Sequence, residues 1–94
     1  MNKYETVLIM NNEITKEQRG EIIDRIEKYI QENGIITNTT DLGSKKLAYK
    51  IVKQEIGYYY AIEFKAESDA IYELERIYRI TNDILKFITI KKDY

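Results

Sequence analysis

The chain has 94 residues, with 15 Lys and Arg against 16 Asp and Glu, a formal charge of −1. That length predicts one domain over residues 1–94, with a core near the lower limit for folding alone. Cys and His are absent, which excludes disulfide staples, thiolate nucleophiles, His general bases and the usual zinc ligand sets; no cofactor is expected.

The longest aliphatic run, Val7-Leu8-Ile9-Met10, is too short for a spanning helix or a signal h-region, so no membrane partner is expected. With 33% charged residues and no Pro, the composition fits a soluble, compact, intracellular domain. Residues 3–10 form the first apolar run. Tyr4, Thr6, Leu8 and Met10 alternate with Lys3, Glu5, Val7 and Ile9, and apolar character on both sides predicts a central strand. Asn11-Asn12-Glu13 breaks it.

Thr15-Lys16-Glu17-Gln18 has the S/T-x-x-E/Q form of a capping box, in which the Thr hydroxyl and the Gln amide satisfy free backbone N–H groups. Ile22, Ile23, Ile26, Tyr29 and Ile30 then fall on one stripe and predict a helix over 16–33, with Gly34 as its C′ stop. Gly20 weakens its first turn.

Residues 35–52 read as a long strand with a fault. Ile36 and Leu42 are apolar at even positions, whereas Leu47, Tyr49 and Ile51 are apolar at odd ones. A β-bulge at Gly43 would produce that phase flip. Residues 53–57 read as a turn. The strand at 58–65 sets Tyr58, Tyr60, Ile62 and Phe64 toward the core and Tyr59, Ala61, Glu63 and Lys65 away from it. Ser68 is an N-cap candidate, with Asp69 in the first turn. Ala70, Ile71, Leu74, Ile77 and Tyr78 make a second helical stripe, Asn82-Asp83 ends it, and residues 84–92 are the last strand.

The order βαββαβ predicts an α+β, ferredoxin-like fold: a four-stranded antiparallel sheet, strand order 4-1-3-2, with both helices on one face. The second strand is then an edge, and the bare sheet face is where function is to be sought.

The small net charge hides a division. Residues 13–33 and 67–83, the helical stretches, hold six cations and eleven acids, net −5; the remaining segments hold nine lysines and five acids, net +4. A polyanion is repelled by one side and accepted by the other. Solvated helix faces and lysine-protected sheet edges would give the same pattern.

Catalysis finds little to work with. Glu5 and Glu63 are placed to share a face on neighbouring strands, but cross-strand pairing with lysines explains them, and no Ser-centred or Gly-rich phosphate motif accompanies them. Gly57-Tyr58-Tyr59-Tyr60-Ala61-Ile62 resembles the stacking strand of an RRM, yet Ile56, Tyr59 and Glu63 stand where that pattern wants a cation, a small residue and an aromatic. Parity sends Tyr58 and Tyr60 into the core and leaves Tyr59 outside. The hairpin from Gly43 onward carries Lys45, Lys46, Lys50, Lys53 and an amphipathic Tyr49; nine Tyr in so small a chain also favour an interface.

Leu42-Gly43, Lys45-Lys46-Leu47-Ala48-Tyr49 and Ile51 together resemble the signature hairpin of the ribosomal protein S6 family of the bacterial small subunit. Tyr4-Glu5, Gly57-Tyr58-Tyr59 and Asn82-Asp83-Ile84-Leu85-Lys86 are similar to that family in order and spacing. Lys stands at 45, 46 and 86 where the family commonly has Arg, giving point-charge rather than bidentate contacts. The resemblance implies a non-catalytic ribosomal component, cytoplasmic and ribosome-bound, with no small-molecule substrate. It implies binding to the central domain of small-subunit (16S) ribosomal RNA as a heterodimer with ribosomal protein eighteen of that subunit. By the same resemblance, Lys3, Lys45, Lys46, Lys50, Lys53 and Lys86 are candidate RNA contacts, and Leu47, Tyr49 and Tyr59 candidate contacts to RNA or partner. The alternatives from other classes are a ferredoxin-like small-molecule-binding regulatory domain acting as a homodimer, and an acylphosphatase-like enzyme. The latter is disfavoured because Asn11-Asn12-Glu13 cannot cradle a phosphate.

Overall fold

A computed structural model describes residues 1–46 and 56–92. Leu47, Tyr49, Lys50 and Lys53 therefore lie outside the described residues, as does most of the expected turn. The elements are β1 (Asn2–Asn11), α1 (Lys16–Asn33), β2 (Gly34–Lys46), β3 (Ile56–Ala66), α2 (Ser68–Ile80) and β4 (Ile84–Lys92). They form one antiparallel sheet in the order β2-β3-β1-β4, the expected ferredoxin-like arrangement with β2 and β4 at the edges.

The core lies between the sheet and both helices. Tyr4, Leu8 and Met10 of β1 join Ile62 and Phe64 of β3 and Ile84 of β4, and they meet Ile26 and Ile30 of α1 and Leu74 and Tyr78 of α2 in one cluster. Both helices thus cover the even-numbered face of β1. One polar side chain is fully buried among these: Thr6 Oγ1 lies 3.1 Å from the Tyr78 hydroxyl and 2.9 Å from Thr89 Oγ1, so its hydrogen-bonding capacity is used in tying β1 to α2 and β4.

The ends of α1 show how local chemistry sets the frame. Both bonds of the capping box form: the Gln18 N–H donates to Thr15 Oγ1 at 3.1 Å, and the Thr15 N–H donates to Gln18 Oε1 at 2.9 Å. Gly34 does follow the helix, but not as a left-handed cap, since its φ of −176° is extended. It is instead the first residue of β2, pressed so tightly on β3 that a Cβ would stand 2.0 Å from the Lys65 carbonyl oxygen. The Asn33 side-chain amide donates to the Tyr29 carbonyl at 2.9 Å at that end. At α2 the N-cap is Glu67, without a side-chain cap bond, and Ser68 already lies inside the helix. The Ala70 N–H closes the first turn on the Glu67 carbonyl at 3.1 Å, one residue earlier than the Ser68 expectation.

The β2–β3 ladder shifts register between Asp41 and Gly43, where the sequence places a bulge, and Gly43 has φ +75°, a conformation that favours glycine. Asp41 holds this kink from both sides, accepting from the Gly43 N–H at 3.0 Å and from the Tyr58 hydroxyl at 2.7 Å. A second shift, between Ile36 and Asn38, has no counterpart in the sequence reading.

Candidate nucleic-acid and partner interface

Directly opposed residues of paired strands point to the same face, so the register defines what the uncovered face carries. From one end to the other its rows are Ile35, Lys65, Lys3 and Lys92; then Asn38, Glu63, Glu5 and Ile90; then Thr40, Ala61, Val7 and Ile88; then Gly43, Tyr59, Ile9 and Lys86. Lysines thus flank both ends of an apolar strip. Ala61 and, in the Lys86 row, Ile9 are buried on the central strands, while Ile88 is 58% and Ile90 49% exposed along β4.

Glu5 and Glu63 are directly opposed, as the parity argument expects. Glu63 is claimed by Lys92, which reaches across β1 to bond it at 2.5 Å. That hydrogen bond and the Lys92 charge hold the Glu63 carboxyl below its ordinary value. A general acid at neutral pH needs the opposite shift, so Glu63 is not poised for that role. Among the described residues no group of His, Cys, Asp and Glu could hold a metal ion. No described helix is long and apolar enough to cross a membrane.

Tyr58 and Tyr60 take the helix-facing side, and their hydroxyls donate to Asp41 and to Glu27, the latter at 2.9 Å. The Arg19 guanidinium lies 3.8 Å over the Tyr58 ring. Both rings are therefore spent on packing α1 against the sheet, as parity predicts, and stacking by them in the manner of an RRM is closed off. Tyr59 lies on the uncovered face, half-buried opposite Ile9.

The candidate site residues divide. Lys3, Lys86 and Tyr59 share the uncovered face, but Lys3 stands at the end remote from Lys86 and Tyr59. Lys45 and Lys46 pair in register with Gly57 and Ile56 at the hairpin end. Leu47, Tyr49, Lys50 and Lys53 are beyond the described residues. The candidate set did not include Lys65 and Lys92, which share the row of Lys3. Alternation along β3 signals Lys65 as outward-facing, but only the pairing register aligns it with Lys3.

An acidic helix layer thus backs a lysine-flanked, partly apolar sheet face in a protein of ferredoxin-like fold. The family model of ribosomal protein S6 matches residues 3–91. The small ribosomal subunit protein bS6 of Nitratiruptor sp. is 48% identical over 97% of this chain and 72% of its own length. That of Thermoanaerobacter pseudethanolicus is 40% identical over 99% of both chains. The crystal structure of 30S ribosomal protein S6 from Thermotoga maritima superposes with a TM-score of 0.90 at 31% identity, covering 97% of this chain and 87% of that one. The chain belongs to the ribosomal protein S6 family of the small ribosomal subunit, a family of structural proteins rather than enzymes.

Proposed function

We propose that this chain is a structural component of the ribosome that binds the central domain of small-subunit ribosomal RNA jointly with ribosomal protein eighteen. The observation that carries this reading is the gathering of Lys3, Lys65, Lys86 and Lys92 on the one sheet face left bare by an acidic helix layer. Lysines act there as point charges on phosphates. Lys3 and Lys86 serve as RNA contacts together with the hairpin residues Lys45, Lys46, Lys50 and Lys53. The apolar strip ending in exposed Ile88 and Ile90 suits a protein partner, with Tyr59 contributing at the Lys86 end and Leu47 and Tyr49, outside the described residues, as further candidate contacts.

Joint binding follows from the charge. RNA affinity grows with the number of phosphates neutralised, and a chain of net charge −1 neutralises few beyond those its basic face touches. A basic partner supplies the remainder.

The test is to measure binding of the purified chain to a central-domain RNA fragment with and without ribosomal protein eighteen, at several salt concentrations. Weak binding alone, much tighter binding with the partner and a steep loss with salt are expected. Equal affinity in both arms refutes joint binding.

A further inference from the structure

Lys65, Lys3 and Lys92 are directly opposed on three successive strands, so the sheet carries three like charges in one row. Like charges so placed repel. Lys92 is compensated by Glu63. Among the described residues Lys3 and Lys65 form no ion pair. A hollow of about 360 Å³ opens beside them, its lining including Lys3, Lys65, Lys92, Glu63, Tyr4 and Thr37. Directly opposed side chains start about 5 Å apart at their Cβ atoms, so two lysine ammoniums here can converge on one tetrahedral anion.

From this row we infer a phosphate-binding site formed by Lys3 and Lys65 beside the Lys92–Glu63 ion pair, whose ligand is a backbone phosphodiester of RNA. The inference rests on the RNA-binding reading above and deepens it by joining Lys3 and Lys65 on a single phosphate. The site is separate from the hairpin end. Lys3 and Ile9, the partner of Lys86, are six residues apart on β1, about 20 Å at strand rise, too far for one phosphate to bridge. RNA is then gripped at two points with the apolar strip between them. Phosphate is favoured over an acidic protein segment because the chain belongs to a ribosomal protein family, for which phosphodiesters are the abundant anion.

Two arms test this. In the first, Lys65→Gln and Lys3→Gln variants are compared with the wild type for binding to small-subunit ribosomal RNA in the presence of ribosomal protein eighteen. Each is expected to fold, to melt no lower than the wild type because a repulsion is removed, and to flatten the slope of log affinity against log salt by about 0.7–0.9, the value of one phosphate contact. Lys91→Gln, opposite Tyr4 on the other face, is expected to leave the slope unchanged. In the second arm the isolated chain is titrated with sodium pyrophosphate and followed by NMR. Saturating amide shifts are expected at Lys3 and Lys65 in the wild type, and none in Lys65→Gln.

A wild type that binds RNA while Lys65→Gln keeps its full salt slope overturns the site and leaves the RNA reading standing. A wild type that fails on RNA yet saturates with pyrophosphate at this row upholds the anion site and overturns RNA as its source. Shifts spread over all lysines without saturation, a lower melting point for Lys65→Gln, or stronger competition by a polyglutamate peptide than by pyrophosphate each overturn the assignment.

Discussion

Tyr78 is 1% exposed, and its hydroxyl ends in the buried chain through Thr6 to Thr89. Burial, with a smaller contribution from the Glu75 charge, pushes its phenol well above the ordinary 10.0, while the Thr6 hydrogen bond pulls the other way. Burial likewise raises Tyr29 and Tyr60. Above pH 10 the unfolded chain releases these protons and the folded chain keeps them, so the stabilisation they bring is complete below pH 10 and is lost as the pH climbs beyond it. Tyr78→Phe removes one contributor. It costs about 1 kcal/mol at neutral pH, because one net hydrogen bond is lost while Thr6 keeps Thr89 as a partner. Denaturant titrations at pH 7 and pH 11 measure both parts. The variant is expected to be the weaker protein at pH 7 but to lose less on going to pH 11; parallel losses in the two proteins contradict the burial argument.

At the scale of the elements, two glycines of β2 do different jobs. At Gly43 a Cβ meets nothing within 4 Å, and the difficulty is the φ of +75°. At Gly34 the backbone is extended, and the difficulty is the Lys65 carbonyl 2.0 Å away. Gly43→Ala is therefore expected to cost about 1–2 kcal/mol, the penalty for a left-handed L-residue. Gly43→Asn should recover much of that, because Asn tolerates the left-handed region. Gly34→Ala should cost about 1–3 kcal/mol or more through overpacking, with no rescue by Asn. Chemical denaturation of the four variants separates the two causes, and rescue by Asn at both sites refutes the distinction. The same contrast explains what the sequence could reveal. A left-handed bulge left a trace at Gly43 because apolar residues change parity across it. The shift near Thr37 left none, because Thr37-Asn38-Thr39-Thr40 has no apolar phase to break. The capping box fixed the start of α1 to the residue, whereas α2 begins at Ser68 behind an N-cap, Glu67, that makes no side-chain cap bond and so leaves no such signature. The bare face was legible from element order and alternation. Alignment of Lys3 with Lys65 and Lys92 was not, because register depends on turn and bulge geometry that residue types alone do not specify.

For the whole molecule, charge division acts through geometry more than through net charge. The protein measures 37 × 26 × 22 Å. The screening length at physiological salt is about 8 Å. Acids on the helix layer therefore barely reach an RNA bound to the bare sheet face; they act on RNA that approaches from the wrong side. Glu21, Asp24 and Glu32 are exposed on α1, and Glu21→Gln, Asp24→Asn and Glu32→Gln together take the net charge from −1 to +2 without touching the sheet. If the acidic layer orients binding, partner-assisted affinity for small-subunit ribosomal RNA should change by less than about twofold, because those charges lie beyond a screening length from the contact. Binding of the isolated chain to unrelated RNA should rise and should be salt-sensitive, since a second face then accepts phosphates. Filter binding of ribosomal and unrelated RNA by wild type and triple variant, at low and physiological salt, reads both quantities. A large gain toward ribosomal RNA with the partner present would mean that the acids had been weakening the productive contact itself. No gain toward unrelated RNA would reduce the layer to a solvated surface without influence on which side the polyanion meets.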